Sequence, residues 1–197
     1  MDVLILAGGR GTRLHPVWTA PKCLVPVGGI PLLERLLHLL RPLRPDWVEL
    51  SLGHAHGLVT QFVTTRDFSF LRIVSSVSTH GTAVAVVRAV LHGYVGAPLL
   101  VLNGDTLPDY DLGMLVAYHE QRIGAWATIA VVADPSRWHS VYAGACVLSE
   151  NALDAITEDH RTRDFPAHLV GAQEYRVPGF LDVGTPEGFR QAQEWKM

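Results

Sequence analysis

Lysine is nearly missing from this 197-residue chain: two lysines stand against 14 arginines. Cysteine is as scarce, and Cys23 and Cys146 lie too far apart for a close-spaced metal or redox motif. Two cysteines do not suggest a disulfide framework, which suits a reducing cytoplasm. No stretch approaches the roughly 18 apolar residues of a membrane span, and the opening run Val3 to Ala7 is too short for a signal sequence. The expected setting is therefore cytoplasmic, with no membrane partner. A formal charge of −3 offers no broad attraction for nucleic acid. Whatever positive charge matters must act locally, and Lys22, beside a glycine-rich loop, is the first candidate.

What the chain does contain is apolar residues, 48% of the total, enough for one well-buried domain and too short a length for two. Runs rich in Val, Ile and Leu at Val3 to Ala7, Trp47 to Leu52, Leu71 to Ser75, Pro98 to Leu102, Ala127 to Val132 and Val141 to Leu148 read as buried strands. Helical patterns fall between or after them. They span Pro31 to Leu40, Thr82 to Leu91, Asp111 to Gln121 behind a capping Asp, and Pro186 to Trp195 with Thr185 as N-cap and Pro186 at the first helical position. This alternation predicts an α/β fold with a doubly wound, mainly parallel sheet. The polar stretch Thr157 to Asp164 reads as a surface loop. Leucines between Leu36 and Leu43 suit either a core or a dimer face, so monomer and homodimer both stay open.

In such sheets the chemistry lies at strand C-termini. The first strand runs into Gly8-Gly9-Arg10-Gly11-Thr12-Arg13. Glycines let backbone N–H groups approach phosphate oxygens, and Arg10 and Arg13 add charge and forked donors; a plain tight turn would use the same residues. The loop is not a dinucleotide fingerprint, because Leu14 stands where a third glycine belongs, and no Gly-Lys-Ser/Thr follows to make a P-loop. Lys22 sits in Pro21-Lys22-Cys23-Leu24-Val25-Pro26, whose prolines stiffen the segment and suit an ammonium held against phosphate. Asp105, after Asn103-Gly104, and Asp182, before Gly184-Thr185-Pro186, also follow short apolar runs. Two such carboxylates suit Mg2+ bridged to a triphosphate. Each alone would equally serve a turn. His54-Ala55-His56 has a spacing that could hold a metal, but it falls at a strand end where a helix is expected to start.

Together these segments resemble the sugar-phosphate nucleotidyltransferases, which join a nucleoside triphosphate to a sugar 1-phosphate and release pyrophosphate. The resemblance rests on Leu6 to Leu14, Pro21-Lys22 with Leu24 and Pro26-Val27, His80-Gly81-Thr82-Ala83, Asn103-Gly104-Asp105, and Asp182 to Glu187. It runs almost from end to end, and among subgroups it is nearest to heptose 1-phosphate guanylyltransferases. It implies a Rossmann-like, glycosyltransferase-A-like nucleotidyltransferase domain over residues 1–197. It also implies Leu6, Ala7 and Gly8 against base and ribose, Gly9, Arg10, Gly11 and Thr12 around the triphosphate, and Gly81 and Thr82 near the base. Arg13 and Lys22 would act on the phosphates in the transition state, and Asp105 and Asp182 would hold Mg2+. Tyr142 and Gly144 would line the acceptor pocket. A lysine that grips the acceptor phosphate in relatives is missing, and Arg137 or His139 would replace it. The acceptor is accordingly a sugar 1-phosphate or, given that departure, a phosphonate or a phosphorylated cyclitol or polyol. GTP is the favoured donor, with CTP and UTP as alternatives. A non-catalytic nucleotide-binding relative is the competing class.

Overall fold

The computed structural model describes residues 1–14, 17–78, 81–134, 140–158, 169 and 171–195. Its strands are β1 (Asp2–Ala7), β2 (Pro26–Val27), β3 (Ile30–Pro31), β4 (Val48–Leu52), β5 (Ile73–Val77), β6 (Leu99–Asn103), β7 (Thr106–Pro108), β8 (Ala127–Ala133), β9 (Ser140–Leu148), β10 (Gln173–Arg176) and β11 (Phe180–Asp182). The helices are α1 (Leu32–Leu39), α2 (His56–Thr64), α3 (Thr82–Leu91), α4 (Leu112–Glu120), α5 (Glu150–Glu158) and α6 (Pro186–Glu194). One seven-stranded sheet runs β10-β8-β9-β6-β1-β4-β5. All its pairings are parallel except those that β9 makes with β6 and β8. The fold is thus the mainly parallel, Rossmann-like α/β sheet that the alternation of patterns predicts, with one reversed strand.

Both faces of the sheet are covered, which is why its central strands are continuously apolar rather than alternating. Val3 and Ile5 of β1, with Leu100 and Leu102 of β6, join a core that includes Leu32, Leu33, Leu36 and Leu37 of α1, Leu115 of α4 and Ala192 of α6. Leu4, Leu99 and Val101 face the other way, onto Ala83, Val86 and Ala89 of α3 and Ala152, Leu153 and Ile156 of α5. Leu36, Leu37 and Leu40 are fully buried, so this part of the leucine run is core. Each such leucine contributes about 1.5–3 kcal/mol by leaving water.

Helix ends follow the expected caps. Asp111 Oδ1 accepts from the Gly113 and Met114 amides at 2.7 and 3.4 Å, and Thr185 Oγ1 accepts from the Gly188 amide at 3.0 Å. Other expectations need correction. The strand read at Leu71 to Ser75 lies two residues later, at Ile73–Val77, and Trp47 stays outside β4 with Arg72 over its ring. Thr157 belongs to α5 rather than a loop, and residues 159–164 fall outside the described set. Helix α5 was not legible, and of α2 only the start after Gly53 was expected. Gly57 and a run of Val and Thr make α2 a poor intrinsic helix, and burial of Val59 holds it in place. Among the described residues no helix is long and apolar enough to cross a membrane.

Candidate active site

Parallel strands deliver their C-terminal ends to one edge of the sheet, and there the ends of β1, β4, β5 and β6, with the start of α3, enclose a cavity of about 770 Å3. The strand ends close on one another because glycine leaves room. A Cβ on Gly53, just past β4, would fall 2.2 Å from the Gly8 carbonyl oxygen. Gly11 has φ +65°, and a Cβ there would lie 2.7 Å from Lys22 Cγ. The alkyl stem of the lysine therefore runs along the glycine loop, which explains how Lys22 and the loop form one structure.

Lys22 opens a short helical turn between extended residues Pro21 (ψ 135°) and Val25 (ψ 127°), and the Trp18 indole donates to the Pro21 carbonyl at 3.2 Å. Its ammonium pairs with Asp105 Oδ2. Asp182 arrives from the other end of the chain. β7 and β11 pair antiparallel with Thr106 opposite Asp182, and the Val183 amide donates to the Asp105 carbonyl at 3.0 Å. The two acidic side chains and the lysine converge on Gly184: a Cβ there would lie 2.8 Å from Asp182 Oδ1, 3.2 Å from Asp105 Oδ2 and 3.2 Å from Lys22 Nζ. The Gly184 amide also donates to Asp182 Oδ1 at 2.7 Å, which aims that carboxylate. Cys23, next to Lys22, is buried, and desolvation pushes its thiol up to about 12, so it stays a neutral packing group.

Leu6, Ala7, Gly8, Gly9, Arg10, Lys22, Gly81, Thr82 and Asp105 all line the cavity. Gly11, Thr12, Arg13 and Asp182 are not among its lining residues; Thr12 and Arg13 sit exposed on the turn Thr12–Leu14 that follows the loop. Tyr142 packs its ring against the core beneath α3 and α5. Its hydroxyl is buried toward Cys146, and desolvation raises it well above the usual phenol range. Gly144, at φ +83°, rests against the Thr106 side chain where β9 slips register against β8, and the Tyr110 hydroxyl donates to the neighbouring Ala143 carbonyl at 3.1 Å. His80, Arg137, His139 and Lys196 lie outside the described residues.

Ser51, Gly53, His54, His56, Val77, Ser78 and Ala85 also line the cavity, and the sequence motifs give none of them a place at the nucleotide site. Their signal was present: serines interrupt apolar strands, and His54 and His56 flank a strand end. Among the described residues, no group of three or more His, Cys, Asp or Glu side chains is placed to hold a metal ion. The candidate metal-binding pair is Asp105 with Asp182.

The chain is similar in sequence and in fold to known proteins. A probable mannose-1-phosphate guanylyltransferase 1 of Oryza sativa subsp. japonica is 33% identical over 194 residues, covering 92% of this chain and 51% of that protein. The bifunctional protein GlmU of Methanococcus aeolicus is 27% identical over 177 residues, covering 89% of this chain and 40% of that protein. The chain spans about half the length of these curated relatives. The crystal structure of HddC from Yersinia pseudotuberculosis complexed with GMP-PN matches with a TM-score of 0.75 at 25% identity, covering 98% of each chain. Residues 3–173 match the MobA-like NTP transferase domain, a span that carries the glycine loop, Lys22 and Asp105, and the chain belongs to that family.

Proposed function

We propose that this chain, as one nucleotidyltransferase domain over residues 1–197, moves a nucleoside monophosphate from a nucleoside triphosphate to a phosphorylated acceptor, a sugar 1-phosphate in the simplest case. Pyrophosphate is the second product. The observation that carries this reading is the convergence of Lys22, Asp105 and Asp182 on Gly184, with Lys22 and Asp105 lining the same cavity as Gly8, Gly9 and Arg10 of the glycine loop. The guanylyltransferase relatives and the GMP-PN complex of HddC support GTP as donor. The shortage of cysteine supports a cytoplasmic setting.

The acidic pair fits Mg2+. Its donors are hard carboxylate oxygens on two side chains, brought together from separate segments beside a residue with no side chain. Mg2+ favours such a set, filling its remaining positions with water and phosphate oxygens. Bound between Asp105 and Asp182, it would neutralise phosphate charge and orient the triphosphate.

The chain's own residues then divide the work. Backbone N–H groups of Gly8 to Gly11, with Arg10, receive the triphosphate; Leu6, Ala7, Gly81 and Thr82 hold the nucleoside. An acceptor phosphate oxygen attacks the α-phosphorus, forming one P–O bond as the bond to the pyrophosphate oxygen breaks. No protein nucleophile takes part, so catalysis consists of alignment and charge neutralisation. Lys22 supplies positive charge at the reacting phosphate, and Arg13 reaches it from the exposed turn when substrate is bound. Gly144, Tyr142 and Arg137 belong to the acceptor side.

Pyrophosphate release with GTP, CTP, UTP and ATP against sugar 1-phosphates, a phosphonate and phosphorylated cyclitols and polyols tests the reading. Release with one donor-acceptor pair, lost in Asp105→Ala and Asp182→Ala proteins that remain folded, is the expected result. No release with any pair would favour a non-catalytic nucleotide-binding relative, and full Mg2+-dependent turnover in both variants would remove the two-aspartate site.

A further inference from the structure

His54 and His56 are absorbed by no part of the reaction above, yet both rings are exposed and both line the cavity. The intervening Ala55 has φ 56° and ψ 31°, a left-handed conformation that costs a non-glycine residue about 1–2 kcal/mol. This backbone strain turns the chain between β4 and α2 so that the residues on both sides face one space. Gly53, whose Cα is packed against the Gly8 carbonyl, clamps the start of the turn to the phosphate loop. The two histidines are thus held at a set place relative to that loop.

Their place along the sheet edge identifies what they meet. Asp105 follows β6, Gly8 follows β1, His54 follows β4 and Ser78 follows β5, in that spatial order. Neighbouring strands lie about 4.8 Å apart, so the end of β4 is roughly 10 Å across the edge from the end of β6. A nucleotide with its phosphates at Lys22 and Asp105 extends its base toward β4 and β5. There the cavity is lined by Ser51, Gly53, Ser78, Gly81 and Ala85, small residues that leave width for a two-ring base. Guanine presents N7 and O6 as adjacent acceptors on one edge, whereas adenine replaces the second with an amino donor. Imidazole supplies a ring N–H donor, and two imidazoles supply two.

We infer that His54 and His56 are specificity-determining residues that donate to the N7/O6 edge of a guanine base in the donor nucleotide. This rests on the nucleotidyl-transfer reading for the direction in which the nucleotide lies. Equilibrium binding of GTP, ATP, CTP and UTP with Mg2+, measured by titration calorimetry without acceptor, tests it separately from turnover. Wild-type protein prefers GTP. His54→Ala and His56→Ala each weaken GTP by about tenfold, the size of one lost base-edge contact, while CTP and UTP, which lack N7, stay within about twofold, ATP weakens only in the variant that loses the N7 donor, and thermal stability is unchanged. His54→Asn, which keeps an N–H donor, recovers part of the preference. Equal losses for all four nucleotides, no loss for GTP, or a wild-type preference for another base would each overturn the inference and leave nucleotidyl transfer standing. Failure of the wild type to bind any nucleoside triphosphate would remove both.

Discussion

Replacing Gly184 by alanine inserts one methyl group at the point where the three charged side chains meet. Its backbone lies outside the left-handed region, so alanine brings no strain there. The new Cβ falls 2.8 Å from Asp182 Oδ1 and 3.2 Å from both Asp105 Oδ2 and Lys22 Nζ. Oxygen ligands sit about 2.0–2.1 Å from Mg2+, so a methyl group and a shared cation cannot both occupy the space between these carboxylates unless one turns away. Overpacking of this kind costs about 1–3 kcal/mol of stability. For a chain of this size each kcal/mol lowers Tm by about 2–4 °C, a total of about 2–12 °C. Turnover is expected to fall much further, by about 100-fold or more, equivalent to ~2.7 kcal/mol of barrier. Calorimetry for Tm and pyrophosphate release over a Mg2+ titration separate the two effects. A folded Gly184→Ala protein with wild-type turnover and unchanged Mg2+ dependence would refute the convergence argument.

Lys22→Ala is expected to lower kcat by roughly 10²–10³, as loss of a preorganised charge does, with a much smaller effect on nucleotide affinity; equal losses in both would indicate a structural role. Glu49 is fully buried, accepts a hydrogen bond from the Ser76 hydroxyl at 2.5 Å and leaves Oε2 unpartnered among the described residues. Desolvation raises its carboxyl above the ordinary 4.5, with Ser76 opposing. The folded state then holds the proton more tightly than the unfolded state, so stability falls as pH rises from about 4.5 toward the raised folded value. Glu49→Gln removes that slope, and Tm-pH curves for the two proteins should diverge over this window; parallel curves would contradict the assignment. Gly53→Ala meets the Gly8 carbonyl oxygen at 2.2 Å and is expected to cost about 3 kcal/mol or more. At Gly57, in helical α2 with nothing within 4 Å of a new Cβ, the same change should gain about 0.4–1 kcal/mol; urea unfolding of the pair checks the contrast.

Legibility followed the range of the interaction. Local chemistry made the Asp111 and Thr185 caps, the apolar strands and the glycine loop readable, because capping and burial pattern leave their marks within a few residues. Helix α5 was missed although Ala152, Leu153 and Ile156 form its buried stripe, since three apolar positions in a polar segment make a weak signal. β10 was missed for a related reason: Gln173 to Arg176 is a polar edge strand, paired on one side only. His54 and His56 were visible as a motif, but only the β4 end beside β1 and β5 turns them from a candidate metal pair into cavity-lining residues.

The residues of the chain by themselves determined the α/β class, the family and the cast of charged groups, because strand burial, glycine turns and carboxylate placement are properties of short segments. Only the tertiary structure decided which groups meet. Asp105 and Asp182 become neighbours through the pairing of β7 with β11, Lys22 reaches them along Gly11, and Gly184 marks the shared space by having no side chain. Those are contacts between distant segments, and local sequence carries no direct record of the register that brings them together.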